Sequence, residues 1–409
     1  MERQLSVGEN WKRGSDIKFN LDDIAFVLLC CYTALVSLAY MRFIPTFLET
    51  FTLYGFLFVS FLSVIRKRTI TLNAYVLSYA VFILWCFISV TYTKYFDTTF
   101  ESSIEVLKVF LFILMLVNIV DSIKKIEIIL FLNSFAPVFL IIYMAFTNQL
   151  FIGDRIGGEL TGNINIFATL LMIASMCSIY FIFVSKDKKL KILGYICFFA
   201  EEFALFLTGS RKAAILPIVL FCAVVVVKAD SKGHKHIIRN SVIATGMGIG
   251  ILIAIMEIPF LYDAIGYRME GLFNLLSGEG KADASSLVRA DMIEEAISRW
   301  KEKPLIGHGI DAYKRLSHYG CYSHNNFVEL LCDIGIIGFI IYYTSYILVA
   351  YKTLSRRNLG VPKWYWIFFL LCLCLFETGG VTYNMFPVHT FITLMYTYMQ
   401  ICYKNASEM

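Results

Sequence analysis

Residues 323–350 read SHNNFVELLCDIGIIGFIIYYTSYILVA. A helix needs about 20 apolar residues to cross the hydrocarbon core of a bilayer. This run is longer than that, and it reads as one long apolar helix, 325–350, entered through the polar residues Ser323, His324, Asn325 and Asn326. The stretch therefore sets two expectations: a membrane-spanning helix, and a cluster of polar residues at its mouth.

Eleven other runs of the same kind lie near 23–42, 49–65, 72–92, 103–120, 126–146, 164–184, 190–208, 213–227, 239–262, 364–380 and 386–403. The run at 103–120 is interrupted by Glu105 and Lys108, and the run at 213–227 is short. Composition agrees with a chain that lives in lipid. Of 409 residues 58% are hydrophobic and only 16% charged, with mean hydropathy +0.68, a balance unlike that of a soluble domain. The expected class is all-α, a polytopic membrane protein of about twelve helices. No nucleic-acid motif, internal repeat or low-complexity tract occurs.

Lys and Arg placement gives an orientation. With the N-terminus inside, the inner segments 1–22, 66–71, 121–125, 185–189, 228–238, 351–363 and the C-terminal tail, with their edges, carry 22 Lys and Arg. The short outer loops carry five: Arg42, Lys94, Arg155, Arg211 and Lys212. That asymmetry predicts both termini in the cytoplasm. It also places one long segment, 263–322, outside, between helices 1–9 (residues 1–262) and helices 10–12 (residues 323–409). The polar start of the chain reads as a retained tail rather than a cleaved leader. Ten of 11 cysteines fall in apolar runs and only Cys321 lies in the long outer segment, so no intrachain disulfide is expected there.

The informative polar residues gather on that outer side. GDRIGGELTGNIN at 153–165 holds Asp154, Arg155, Asn163 and Asn165; TGSRK at 208–212 holds Ser210 and Arg211; SSLVRADMIEEAISRW at 285–300 holds Arg289; YSHNNF at 322–327 holds His324, Asn325 and Asn326. Each has a plain alternative. Arg155 and Arg211 would suit lipid headgroups, Gly157 and Gly158 a turn, and His324 an ordinary helix start with Ser323 as N-cap. In the third segment Met292, Ile293, Ala296, Ile297 and Trp300 form a helical stripe from an N-cap at Ser285 or Ser286, and Arg289 falls on it. A charge on a buried stripe is costly unless it meets a partner or an anion, although an arginine can also snorkel to the edge. The N-terminus of the helix after His324 favours an anion, and a histidine there can serve proton transfer. Arginines, a helix N-terminus and a histidine suit a pyrophosphate.

No DxD pair in an outer loop, HExxH motif, zinc-spaced Cys/His set or phosphate-cradling glycine loop occurs. His234 and His236 sit in a Lys-rich inner loop. Glu201 and Glu202 are intramembrane acids, usually functional or paired, with Lys108 a conceivable partner.

SHNNFVELLCDIGIIGFIIYY, PLIGHGIDAY before it, the TGSR turn, and DRIGG followed by GNIN resemble, in order and spacing over roughly 150–345, the O-antigen polymerase and O-antigen ligase superfamily. The resemblance implies a GT-C-like membrane glycosyltransferase, metal-independent, without cofactor, and inverting. It would take glycans from undecaprenyl pyrophosphate on the outer face of the inner membrane. It implies pyrophosphate-binding roles for Arg155, Arg211 and Arg289, and a base role for His324. Asn163, Asn165, Asn325 and Asn326 are the further expected substrate contacts. The short outer segment and the Asn325-Asn326 and GIIG pattern look closer to polymerases, which would work with a chain-length regulator protein. Two readings compete with that one: a ligase acting on lipid A-core, and a transporter or flippase for lipid-linked sugars.

Overall fold

The computed structural model describes residues 20–40, 44–147, 164–230, 234–277, 284–355 and 359–407. All regular structure among them is helical. The helices are α1 (Leu21–Tyr40), α2 (Thr46–Lys67), α3 (Ala74–Val90), α4 (Phe96–Ile119), α5 (Ile123–Phe146), α6 (Ile164–Phe183), α7 (Lys188–Thr208), α8 (Arg211–Asp230), α9 (His234–Glu257), α10 (Tyr267–Ser277), α11 (Ala284–Glu302), α12 (Asn326–Leu354), α13 (Val361–Glu377) and α14 (Phe386–Ser407). Each of the twelve apolar runs coincides with one of these. Among the described residues six helices are long and apolar enough to cross a membrane: α2, α4, α5, α6, the 238–257 part of α9, and α12. The chain is thus a multi-pass membrane protein.

Helix α6 is the hub. It is apolar all round, and 89% of its apolar window is buried, as expected when a helix has neighbours on every side. It packs against α5, α7 and α8. Its Tyr180 meets Tyr365 and Trp366 of α13 and Tyr398 of α14 edge-on or tilted. Helix α9 is the opposite case. Only 11% of its window is buried, and Ile238, Val242, Ile249 and Ile253 project outward, as a lipid-facing helix requires.

Helix α12 differs from the continuous rod expected for 325–350. It is broken at Gly335, whose φ of 66° and ψ of −176° are not helical. The groups released at the break are taken up by the preceding PLIGHG segment. Ile336 N–H donates to the Pro304 carbonyl (2.9 Å), while His308 N–H and Gly309 N–H donate to the carbonyls of Cys332 (3.1 Å) and Asp333 (2.6 Å). Trp85 Nε1–H of α3 donates to the Ile334 carbonyl (3.1 Å). The two backbones touch. A Cβ on Gly335 would lie 2.3 Å from the Leu305 carbonyl, and one on Gly307 would lie 2.3 Å from that of Asp333. Asp333 extends this clasp by accepting the N–H groups of Asp311 and Tyr313, each at 2.8 Å.

Three smaller expectations change. Asn325, not Ser323, caps α12: its Oδ1 accepts from Phe327 N–H (3.0 Å) and Val328 N–H (3.4 Å), and Asn325 has the extended backbone of an N-cap. Helix α11 reaches back to Ala284, so Ser285 and Ser286 lie inside it. The ninth run ends as a helix at Glu257, and the chain then turns through Pro259–Leu261 and a π-helical Tyr262–Gly266 into α10.

Candidate functional site

A cavity of about 350 Å³ opens at the end of the bundle where α6, α8, α11 and α12 begin. First-turn residues of these helices line it: Asn165 of α6, Arg211 and Lys212 of α8, Ser285 of α11 and, one turn in, Glu329 of α12. The positive dipole ends of several helices thus open on one space, a setting that favours an anion. The turn between α7 and α8 is as tight as TGSRK suggested. Gly209 closes α7 at φ 63°, and α8 starts two residues later.

Arg211 reaches across to the other elements. Its NH2 group donates to Ser286 Oγ of α11 (2.7 Å) and its NH1 group to the Arg268 carbonyl of α10. The side chain therefore ties α8 to α10 and α11 while lining the cavity. Lys212 Nζ donates to Thr378 Oγ1 at the end of α13 (2.7 Å). Burial first, then the charges of Arg289 and Arg211, lower the Lys212 ammonium to about 8. Arg289 lines the cavity from the stripe predicted for α11, in which Met292 and Ala296 are buried. It makes no ion pair among the described residues. Arg268 completes a set of four cations on the wall.

His324 is also on the wall, its ring tilted by 53° against that of Tyr322 with centroids 4.4 Å apart. Its φ is 58°, and Asp311, also on the wall, has φ 61°. Two of the three positive-φ residues other than glycine among those described therefore line this cavity. Strain of this kind persists only where surroundings hold it, and it gathers at functional sites. Burial, then Arg289, lowers the His324 imidazole to about 4, so the ring is neutral at physiological pH.

The cavity thus brings together His324, Arg211, Arg289 and Asn165 of the expected site residues. Arg155 and Asn163 lie outside the described residues. Asn325 and Asn326 do not line the cavity. Asn325 caps α12, and Asn326, fully buried, donates to Tyr343 OH (3.1 Å) and accepts the N–H groups of Thr382 (2.9 Å) and Tyr383 (3.3 Å). That holds the 382–383 loop, whose Tyr383 is on the wall. Among wall residues, Lys212 was visible beside Arg211; Asp311 and Glu329 stood within the PLIGHGIDAY and SHNNFVELL stretches but were not singled out, and Arg268 carried no local signal. His308 and His318 face elsewhere: His308 Nε2 bonds the Arg299 carbonyl (2.9 Å), and His318 pairs with Glu295 (3.0 Å).

Lys108 does not meet the intramembrane acids. It pairs with Glu105 (2.7 Å). Glu201 accepts from Ser178 Oγ (2.7 Å), itself bonded to Ser134, and Glu202 accepts from Ser175 Oγ (2.6 Å). Among the described residues no group of three His, Cys, Asp or Glu gathers as a metal site.

Residues 193–343 match the family model described as O-antigen ligase, whose members are membrane glycosyltransferase-like enzymes. The matched segment contains Arg211, Arg268, Arg289, His324 and Glu329, most of the cavity's charged wall. An uncharacterized protein of Haemophilus influenzae is 25% identical over 248 residues, which is 54% of this chain and 56% of that protein. The match spans little more than half the length of either.

Proposed function

The chain belongs to the O-antigen ligase/polymerase superfamily, and from that premise we propose that it polymerises polyprenyl-pyrophosphate-linked repeat units into surface polysaccharide. The reading rests on one observation: four cations and several helix N-termini share a cavity with a neutral histidine. The donor's pyrophosphate lies against Arg211, Lys212, Arg268 and Arg289, with Arg155 a fifth contact. Asn165 reaches the donor from α6, while Asn163, Asn325 and Asn326 act around it, the last two by fixing backbone. The acceptor hydroxyl oxygen bonds to the donor's anomeric carbon. The bond from that carbon to the pyrophosphate oxygen breaks, and its electron pair leaves with the phosphate. The hydroxyl proton passes to His324. The arginines offset the charge that builds on the leaving group, so their effect is largest in the transition state. The donor is undecaprenyl pyrophosphate-linked, the site faces the outside of the inner membrane, both termini are cytoplasmic, and a chain-length regulator is the expected protein partner.

Purified protein in vesicles, given lipid-linked repeat units, should produce a ladder of polymer, and should do so in EDTA. Transfer only to lipid A-core would make it a ligase instead. Translocation of the lipid-linked glycan without transfer would make it a transporter.

Two expected results test parts of this reading. In a cysteine-free background, Lys314→Cys should react with an impermeant thiol reagent on intact cells and Lys188→Cys should not; both positions are exposed on the protein. The reverse pattern inverts the orientation. Arg211→Lys keeps a charge but loses the planar fork that spans Ser286 and Arg268. Turnover should fall about 10-fold or more, with normal expression. Full activity in Arg211→Lys would reduce Arg211 to a point charge.

A further inference from the structure

Two acids on the cavity wall have no task in the mechanism above; Asp311 accepts from Ser102 Oγ (2.9 Å), which leaves Glu329 as the one with an unmet oxygen. Glu329 is fully buried and lines the cavity. Its Oε2 accepts the Ser323 N–H at 2.5 Å. Its Oε1 has no hydrogen-bond partner among the described residues. Buried carboxylate oxygens are nearly always satisfied, and one that is not is a place to look for a missing donor.

The geometry constrains what that donor is. Through Ser323 N–H, Glu329 fixes the backbone on one side of His324, which is held at φ 58°. The group therefore belongs to the histidine's side of the cavity, where Asp311 is the other acid on the wall. A carboxylate repels pyrophosphate, so Glu329 does not serve the donor's anionic end. It does suit an uncharged O–H donor, and a polyhydroxylated acceptor brought to His324 supplies several.

We propose that Glu329 contacts the acceptor, its Oε1 accepting a hydrogen bond from a hydroxyl of the acceptor sugar other than the attacking one, so that the attacking hydroxyl is aimed at His324. The inference rests on the glycosyl-transfer reading above. It holds whether the acceptor is another repeat unit or a lipid A-core. It divides the cavity in two, with cations for the leaving group and carboxylate for the acceptor. A site built to hydrogen-bond a hydroxyl discriminates strongly against an analogue without it.

The test separates donor from acceptor. The host's lipid-linked repeat unit is the donor, and the octyl glycoside of that repeat, which carries no pyrophosphate and cannot donate, is the acceptor. Glu329→Gln keeps the size and an oxygen for Ser323 N–H. It should lower kcat/KM for the acceptor at least about 10-fold, with the binding of radiolabelled donor within about twofold of wild type and thermal stability within a few degrees of it. Singly deoxygenated octyl glycosides supply a measurement on wild-type protein alone. One non-attacking deoxy position should lose about 10-fold in kcat/KM, and that loss should vanish in Glu329→Gln. Wild-type kinetics in Glu329→Gln overturn the proposal. Equal losses of donor binding, kcat and thermal stability also overturn it, since Glu329 is then only structural. If the variant does not fold, a wild-type protein indifferent to every non-attacking deoxygenation overturns it. A wild-type protein that transfers nothing from the donor defeats the glycosyl-transfer reading, and this proposal with it.

Discussion

His324→Ala is expected to lower polymer formation by about 10²–10⁴-fold, the usual contribution of a general base, with normal insertion and undiminished binding of lipid-linked substrate. The ring is half-buried, tilted against Tyr322, and lies outside the bundle's apolar core, so its removal leaves the helices in place. The pH profile gives a second readout. The imidazole is lowered to about 4 by burial and by Arg289, with Arg211, Lys212, Arg268, Asp311 and Glu329 the other charged groups on the wall. A base with a lowered value is active above it and lost as pH falls through it. The acid limb of kcat/KM should therefore lie near pH 4, well below the 6.5 of an unperturbed histidine, and should be absent from the alanine variant. His308→Ala and His318→Ala should be mild, because neither side chain reaches the cavity. A dispensable His324 beside an essential His318 would move the base elsewhere.

Gly335→Ala is expected to remove most of the folded protein. The position has φ +66° and ψ −176°, a region open essentially to glycine, at a cost of about 1–3 kcal/mol to an L side chain. The added Cβ would also lie 2.3 Å from the Leu305 carbonyl carbon and oxygen. These are backbone atoms with nowhere to move, since the same segment is bonded to Ile336, Cys332 and Asp333. Opening the clasp releases several backbone groups, each costing about 1–3 kcal/mol when left unpaired and buried. A yield of monodisperse protein reduced about tenfold or more in detergent chromatography is the expected result. Gly320→Ala provides the control. It has the same φ of 66° but nothing within 4 Å of its Cβ, so it should pay only the conformational term. Equal behaviour of the two variants would show that the contact with Leu305 does not matter.

The helices were legible because lipid demands long apolar runs, and such runs survive as a pattern in the sequence. The cavity was partly legible for a related reason. Arg211 and Arg289 are charges where an apolar turn or stripe is expected, and His324 marks a helix mouth. What stayed hidden depends on contacts distant in sequence. Gly335 sits in an apolar run that reads as unbroken, and its break becomes visible only when Leu305 is found against it. Arg268 enters the wall because a π-turn re-aims the chain after Glu257. Asn326 looked like a substrate contact, but its amide holds residues 382 and 383, more than fifty positions away. Glu201 and Glu202 invited a basic partner in the sequence and find serines in the fold.

The clasp at Gly307 and Gly335 also bears on the order in which the chain is made. Residues 304–309 leave the ribosome before α12 does. Gly335 lies about 14 Å along α12 from its start at the usual rise per residue, within a helix long and apolar enough to cross a membrane, where hydrocarbon satisfies no free carbonyl. Helix α12 therefore does not partition into lipid as a self-sufficient unit during biogenesis. It completes its hydrogen bonds only on a segment delivered earlier, so its insertion and its tertiary docking are a single event.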